Sequence, residues 1–335
     1  MIDVGIVGVG TYLPEKTMKA AEIAGLTNGV WSEDAVINKL GIKQRYLPGP
    51  DDGTQEMGAK AALKCLENTG VDPKEIDVIL CIGEEWKEYP LTTSACYIQD
   101  RIGATNAWGI DVQNRCCTCV SAMKIAADML RADDEINTIM ICGGYRNGDF
   151  VDFTDKDMSM MYNLSAGGGA IILKKNYGKN LLLGSKIMSD GSLARTAGVE
   201  IGGIAHPFTK DNIEEGYKSL RLLEPQKMKD RLNEVSMPNW YHCIDESLRQ
   251  AGMTRKDIGY LDVLHMKRSG HKGMLAELGL TEEQSIYGHV GQIDQILSLE
   301  LALKAGKVKD GTVVCMIAAG IGYVWSANII KWGNK

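Results

Sequence analysis

The sequence lacks the features of a membrane protein or a secreted one. No apolar run in its 335 residues approaches the roughly 18 residues of a membrane span, and the first residues, MIDVGIVGVG, have neither the basic start nor the cleavage site of a secretion signal. Low-complexity tracts and charged tails are also missing. We therefore predict a globular protein of the cytoplasm that has no membrane partner.

Positive charge is scarce as well. The chain has 37 lysines and arginines against 43 aspartates and glutamates, a formal net charge of -6. Nucleic-acid binding needs a basic face to neutralise phosphates. The totals therefore predict no nucleic-acid partner, although they leave room for local basic patches.

The nine cysteines form neither a disulfide pattern nor a metal pattern. Their odd count, and their place inside apolar stretches such as VILCIG and VVCMIAAG, are typical of buried thiols in a reducing compartment. Cys116 and Cys119 have CxxC spacing, but no second ligand pair of the CxxC or HxxxH kind accompanies them. We predict no metal site.

The most informative feature that is present is an internal repeat. Residues 61–83, AALKCLENTGVDPKEIDVILCIG, and residues 244–266, IDESLRQAGMTRKDIGYLDVLHM, share a helical pattern, a glycine stop (Gly70, Gly252), a polar turn and a β-rich run. A second helix and a second buried strand are predicted after each copy: 120–131 and 138–143, then 293–304 and 312–318. This alternation predicts an α/β fold that is built twice.

A polar turn divides the two copies. The segment KKNYGKN separates two apolar runs, and it predicts an N-terminal half over residues 1–178 and a C-terminal half over residues 179–335. Residues 190–240 show no strong period and are interpreted as surface insertions.

The repeat also indicates where chemistry could occur. Cys116, within DVQNRCCTCVSAM, and His289, within IYGHVGQIDQI, each precede the second helix of their half. A thiol at a helix start gains from unpaired backbone amides and the helix dipole, and an imidazole nearby can accept or donate a proton. A cysteine in an apolar context is more often a small buried hydrophobe, so the residues alone leave both interpretations open.

Five segments together carry a resemblance to a known family. They are GIVGVGTYLPEK, LTTSACYIQDRIGATNAWGIDVQNRCCTCVSAMKIA, LSAGGGAIIL, KAGKVKDG and AAGIGYVWSANIIKW. With these, in this order, the chain resembles β-ketoacyl-acyl-carrier-protein synthase III and its relatives in the thiolase superfamily. The resemblance implies a five-layer αβαβα thiolase fold of two similar halves, a homodimer, and a cysteine that is acylated by a thioester.

The resemblance also implies roles for individual residues. Cys116 falls on the acyl-accepting cysteine, and the backbone amides of Cys116 and Ile321 fall on the oxyanion hole. His289 stands where the family has a catalytic asparagine. The family's catalytic histidine falls on His265, or on Lys267 in an ungapped count. We favour His265 because an imidazole exchanges a proton near neutral pH.

The donor site departs from the family pattern. Ala35 replaces a tryptophan and Lys39 an arginine of the coenzyme A site, while Lys272 falls on another basic position near the tunnel mouth. The resemblance therefore implies either an altered coenzyme A pose or an acyl-carrier-protein donor, whose acidic surface would need basic partners. Either thioester is a substrate, and no permanently bound cofactor is predicted.

Three functions remain open at this point. The first is acyl transfer from Cys116 to an acceptor without decarboxylation, which the replacement of the asparagine by His289 favours. The second is decarboxylative condensation with a malonyl thioester to give a β-ketoacyl product. The third is a catalytically degenerate subunit of a hetero-complex.

Several further residues carry weaker expectations. By family position, Leu91 would lie near a wall contributed by the second subunit. The stretch MSMMYNL, residues 158–164, either lines an apolar pocket or belongs to the core. His206 and His242 belong to no motif and are expected to be surface or structural residues.

Overall fold

The structure is a computed structural model that describes residues 2–83, 86–286 and 291–334. The strands in this part of the chain are β1 (Val4–Tyr12), β2 (Thr17–Lys19), β3 (Gln44–Tyr46), β4 (Val78–Cys81), β5 (Trp108–Asp111), β6 (Thr138–Tyr145), β7 (Gly167–Lys175), β8 (Lys179–Ser189), β9 (Ala197–Val199), β10 (Leu220–Leu222), β11 (Tyr260–Val263), β12 (Val313–Gly320) and β13 (Val324–Asn334). The helices are α1 (Ala20–Leu26), α2 (Glu33–Ala35), α3 (Thr54–Thr69), α4 (Ser94–Ile102), α5 (Thr118–Ala132), α6 (Ile213–Gly216), α7 (Pro225–Gln250), α8 (Arg268–Glu277) and α9 (Asp294–Lys304).

Nine of these strands form one sheet that consists of two similar halves. The order is β11-β12-β13-β8-β1-β7-β6-β4-β5, and the halves meet where Gly5 of β1 pairs with Leu181 of β8. In the first half β4 lies parallel to both β5 and β6; in the second, β11 lies parallel to β12. Ser285 pairs with Leu261 of β11 at the place that β5 takes beside β4. The predicted duplication is confirmed.

Helices cover both faces of the half-sheets. Helices α3 and α4 pack on the first half, α7 and α8 on the second, and α5 and α9 lie between the two in one continuous apolar core. This is the five-layer αβαβα arrangement of the thiolase fold that the resemblance implied. In the described part of the chain, no helix combines the length and apolarity needed to cross a membrane.

The interpretation of residues 190–240 as surface insertions is wrong for their last third. Helix α7 begins at Pro225, well before the repeat copy that starts at residue 244. Its first turns are mostly exposed, so they carry no apolar period, and Pro238 interrupts the helical pattern. Proline at a first helical position, as at Pro225, was the available signal for the start of the helix.

The acidic side chain of Asp262, on β11, is fully buried. It lies on the same strand face as Tyr260, which packs against the central helices. Burial raises the pKa of its carboxyl well above the usual range, and nearby Asp294 adds to the rise, while the Ser298 hydroxyl lowers it in part. The folded protein thus keeps a proton that the unfolded chain releases above about pH 4. The contribution to stability is complete below that pH and is lost as the pH rises through the folded pKa.

We therefore expect Asp262→Asn to stabilise the protein more at about pH 8 than at about pH 5, with a difference that grows by up to about 1.4 kcal/mol per pH unit. Urea unfolding of both proteins at the two pH values measures this. The matched control is Asp257→Asn, because hydrogen bonds from Thr254 lower the pKa of the exposed Asp257 carboxyl. This control should be destabilised at both pH values. A pH-independent effect of Asp262→Asn would contradict a neutral buried carboxyl.

Candidate active site

Cys116 lies in a tight turn at the start of α5. The 3-10 turn Arg115–Cys117 leads directly into the helix, and Arg115 has a left-handed backbone with φ +52°. The hydroxyl of Thr118 donates to the Arg115 carbonyl and accepts the Asn114 N–H at 2.8 Å. The turn is therefore fixed by its own hydrogen bonds, and Cys116 stands half-buried at the positive end of the helix dipole.

The loop between β12 and β13 packs directly on this turn. A Cβ on Gly320 would lie 2.5 Å from the Asn114 carbonyl oxygen and 3.0 Å from the Cys117 nitrogen. Only glycine permits that approach, and it brings the next residue, Ile321, to the cavity that Cys116 lines. The two residues assigned to an oxyanion hole thus share one cavity wall.

This cavity has a volume of about 540 Å³ and a mostly apolar wall. Arg115 is the only charged residue among its described lining residues. Those residues are Trp86, Arg115, Cys116, Tyr145, Asn147, Phe150, Met161, Leu164, Ala194, Ala197, Gly198, Val199, Ile201, Gly202, Gly203, Phe208, Leu220, Ile321 and Gly322. The size and apolar lining suit an acyl chain or a similar small ligand.

The Met-rich stretch, residues 158–164, both lines the cavity and contributes to the core. Met161 and Leu164 line the cavity, whereas Met158 and Tyr162 are buried in an adjoining apolar cluster. The alternation follows from the short 3-10 segment Lys156–Met161, whose successive side chains point in different directions.

The two neighbouring cysteines face the core instead of the cavity. The Cys117 thiol is 2.7 Å from the Ser326 hydroxyl, and burial raises its pKa to about 11. Burial also raises the pKa of the Cys119 thiol, with smaller contributions from Asp262 and Asp294. Both groups stay protonated at neutral pH and are poor nucleophiles.

A tyrosine interacts electrostatically with the nucleophile. Burial raises the pKa of Tyr323 to about 12, and the charge of Cys116 adds to the rise. The Tyr323 ring packs at a tilt on the fully buried Trp325, with ring centroids 5.2 Å apart. Tyr323 therefore stays neutral at all physiological pH values.

His265 lies just beyond the end of β11, and its side chain is buried. Its Nε2 is 3.2 Å from the Leu40 carbonyl oxygen. Because a carbonyl can only accept, Nε2 carries a proton in this arrangement. His265 is not among the described lining residues of the Cys116 cavity.

Asp294 joins the segment of His265 to the chain that enters α9. One carboxylate oxygen accepts the His265 backbone N–H and the other the Gly291 N–H, each at 3.1 Å. A Cβ on Gly291 would lie 2.4 Å from the ring of Tyr145, which lines the Cys116 cavity. The start of α9 therefore packs against the cavity wall, while His289 itself lies outside the described residues.

The basic turn after β11 is only partly solvated. Lys267 is exposed, but His271 is 3% exposed, with its Nε2 3.0 Å from the Ser285 hydroxyl, and burial lowers its pKa. The two histidines of this turn, His265 and His271, are thus buried. The contacts that bury them come from residues that are distant along the chain, so the sequence pattern of the turn does not reveal them.

The two cations assigned to the donor lie on the surface. Lys39 is exposed and precedes Leu40, the residue whose carbonyl contacts His265. Lys272, on α8, pairs with Glu282 at 3.1 Å, and the same carboxylate also pairs with Arg268. Among the described residues, no cluster of His, Cys, Asp or Glu could hold a metal ion.

Sequence reasoning missed four residues of the site. Arg115 and Trp86 line the cavity, Tyr323 interacts electrostatically with Cys116, and Asp294 anchors the His265 segment. Arg115, Tyr323 and Asp294 lie inside the quoted segments and were within reach. Trp86 lies outside them, and only the folded chain reveals its contacts.

Comparisons with known proteins agree with this fold. Family models described as 3-oxoacyl-[acyl-carrier-protein (ACP)] synthase III and as its C terminal match residues 110–191 and 248–332. Two proteins named beta-ketoacyl-[acyl-carrier-protein] synthase III are similar along their whole length. That of Allorhizobium ampelinum is 27% identical over 97% of this chain and 98% of its own, and that of Syntrophomonas wolfei is 26% identical over 99% and 98%.

A solved structure supports the fold independently. The 3-oxoacyl-[acyl-carrier-protein] synthase III of Aquifex aeolicus superposes with a TM-score of 0.83 over 98% of this chain and 100% of that one, at 20% identity. At that identity the likeness speaks for the fold alone. Together with the two family matches and the full-length relatives, it leads to one conclusion: the chain is a β-ketoacyl-acyl-carrier-protein synthase III-like protein of the thiolase fold.

Proposed function

We propose that this protein is an acyltransferase that takes an acyl group from a coenzyme A or acyl-carrier-protein thioester onto Cys116 and passes it to an acceptor. The observation that carries the proposal is the common wall of the apolar cavity, where Cys116 and Ile321 lie together at a helix start. A nucleophile, a candidate oxyanion site and room for an acyl chain thus occur in one place.

The reaction follows from these groups. The Cys116 thiolate attacks the thioester carbonyl, and the backbone amides of Cys116 and Ile321 hold the oxyanion that forms. Collapse of this intermediate expels the donor thiolate and leaves an acyl group on Cys116. An acceptor, deprotonated by His289 or His265, then attacks the new thioester and restores the thiolate.

The donor is proposed from the surface charges. Exposed Lys39 supplies a cation for a phosphate, whereas Lys272 is already paired with Glu282, as Arg268 is. This pairing reduces the positive charge that an acidic carrier protein would meet at α8. It favours coenzyme A over a carrier protein as the donor. The cytoplasmic location remains a prediction from the sequence.

A second candidate is decarboxylative condensation with a malonyl thioester. It is favoured by the two full-length relatives described above, which are both named beta-ketoacyl-[acyl-carrier-protein] synthase III. In this reaction His289 and the Nδ1–H of a doubly protonated His265 would donate two hydrogen bonds to the enolate oxygen that decarboxylation leaves, because the Nε2–H of His265 already donates to the Leu40 carbonyl.

The test is to incubate the protein with a panel of acyl-coenzyme A and acyl-carrier-protein thioesters and to measure the intact mass and then the mass of the Cys116 peptide. An acyl adduct on that peptide that alcohols, amines or thiols discharge supports acyl transfer. Release of carbon dioxide from added malonyl thioester selects condensation instead. If no donor leaves an adduct, the catalytically degenerate subunit becomes the better account.

We also infer that the protein is a homodimer that pairs along β5. This strand is one of the two edges of the sheet, and Trp108 and Ile110 on it are 50% and 46% exposed. Leu91, at the tip of a nearby loop, is completely exposed with φ +66°. An edge strand with exposed apolar side chains is normally covered. A second copy would cover it and would receive Leu91.

Light scattering tests the homodimer. We expect a mass of two chains for the wild type and of one chain for a Trp108→Lys, Ile110→Lys variant, because two buried ammonium groups oppose pairing. Met237→Lys, a similar change at an exposed apolar residue of α7, should leave the mass at two chains. A single-chain mass for the wild type would contradict the inference.

A further inference from the structure

Trp86 lies between the Cys116 cavity and a second cavity. The second cavity has a volume of about 630 Å³, and Trp86 is the only residue in the described part of the chain that lines both. On one side its ring packs edge-on against Phe150 of the Cys116 cavity, with centroids 4.7 Å apart. On the other side its backbone carbonyl accepts the hydroxyl of Thr54, which lines the second cavity.

Hydrogen bonds hold the indole in this position. Its Nε1–H donates to Asp149 at 3.1 Å, and the same carboxylate oxygen accepts Arg146 at 2.8 Å. Arg146 in turn donates to the Asp52 carbonyl at 2.8 Å and lines the second cavity. The ring is thus oriented from both sides, as a fixed wall requires.

The second cavity offers room, and its wall is mixed in character. Its three cations are all paired: Lys60 with Asp52 at 2.9 Å, Lys87 with Asp111 at 3.3 Å and Arg146 with Asp149. Three carboxylates also line it, those of Asp51, Glu56 and Glu88, while the carbon stems of the cations, together with Pro50 and Tyr97, present apolar surface.

We propose that Trp86 is a specificity-determining partition: its indole closes the Cys116 cavity and sets the upper length of the acyl group that Cys116 accepts. This rests on the proposed acyl transfer. The substrate class is then apolar acyl thioesters whose chains end at Trp86. Removing the ring joins the two cavities and admits longer chains.

The experiment compares butanoyl-, octanoyl-, dodecanoyl- and hexadecanoyl-coenzyme A as donors and measures the rate of adduct formation on Cys116. For Trp86→Ala, the rate ratio of hexadecanoyl to butanoyl should rise at least about tenfold over wild type, because a chain that was excluded now fits. Trp86→Phe keeps a ring against Phe150 and should stay near wild type. An unchanged ratio in Trp86→Ala overturns the proposal.

A matched control separates a partition from general loosening. Phe153 belongs to the same apolar cluster, packs on Tyr162 with ring centroids 5.0 Å apart, and lines neither cavity. Phe153→Ala removes a ring of similar size and should leave the chain-length profile unchanged. If it shifts the profile as far as Trp86→Ala does, the partition is refuted.

A second ladder keeps the partition distinguishable from the acyl transfer on which it rests. Alkyl methanethiosulfonates of the same chain lengths react with a thiolate to form a mixed disulfide and release methanesulfinate, so labelling of Cys116 needs no acyl chemistry. If Trp86→Ala shifts the chain-length profile of labelling by these reagents while the wild type forms no acyl adduct, the partition is supported and acyl transfer is refuted. If acyl adducts form but Trp86→Ala does not change their chain-length profile, acyl transfer is supported and the partition is refuted.

Discussion

A Cys116→Ala variant is expected to lose turnover by about 10³-fold or more and to form no acyl adduct, while folding as the wild type does. The loss is this large because alanine removes the only atom that can carry the acyl group between the two half-reactions. Stability should change little, since Cys116 is half-buried at a cavity wall, whereas Cys117 is fully buried and contacts Ser326. Steady-state kinetics and thermal unfolding measure both.

Two other cysteines serve as controls for this variant. Cys96 is the exposed cysteine of α4 and would be labelled first if labelling followed exposure alone. Cys96→Ala should keep turnover and the adduct. Cys117→Ala should instead destabilise the fold, because it removes a buried thiol and leaves the Ser326 hydroxyl without that partner. Turnover that survives in Cys116→Ala would assign the chemistry to another residue.

The duplicated fold could be predicted because each half repeats the same local signals. Gly70 and Gly252 end corresponding helices, and both have φ +68° in the structure. The strands that follow are fully buried, so they appear in the sequence as short apolar runs instead of alternating patterns. Such local signals can be recognised in the sequence without any knowledge of tertiary contacts.

The site was predictable only where it is local in sequence or follows the family motifs. Cys116 and Ile321 were assigned by resemblance and lie on one cavity. The contact of His265 with Leu40 joins residues 225 positions apart, and Trp86 acquires its place from Phe150 and Asp149. No period or spacing encodes such contacts, since they depend on how separate loops pack.

Asp294→Ala is expected to lower kcat by about 10²-fold with a smaller change in KM. The carboxylate is 3% exposed and accepts the backbone N–H groups of His265 and Gly291. Alanine leaves both donors unsatisfied and releases the segment of His265 from the start of α9, and a displacement of about 1 Å can cost this much in rate. Discharge of the acyl group from Cys116 should slow more than its formation, because discharge needs a placed base.

A matched carboxylate distinguishes positioning from stability. Asp77 also accepts two backbone N–H groups, that of Asn137 at 2.7 Å and that of Thr138 at 2.9 Å. These contacts lie at the start of β6, in the half of the protein that does not contain His265. Asp77→Ala should lower the free energy of unfolding by about 1–3 kcal/mol, as Asp294→Ala does, without a selective loss in discharge. Asp294→Asn should fall between wild type and alanine, because its amide oxygen can satisfy one donor while its NH₂ group opposes the other. Equal effects of the Asp77 and Asp294 variants on discharge would reduce Asp294 to a structural residue.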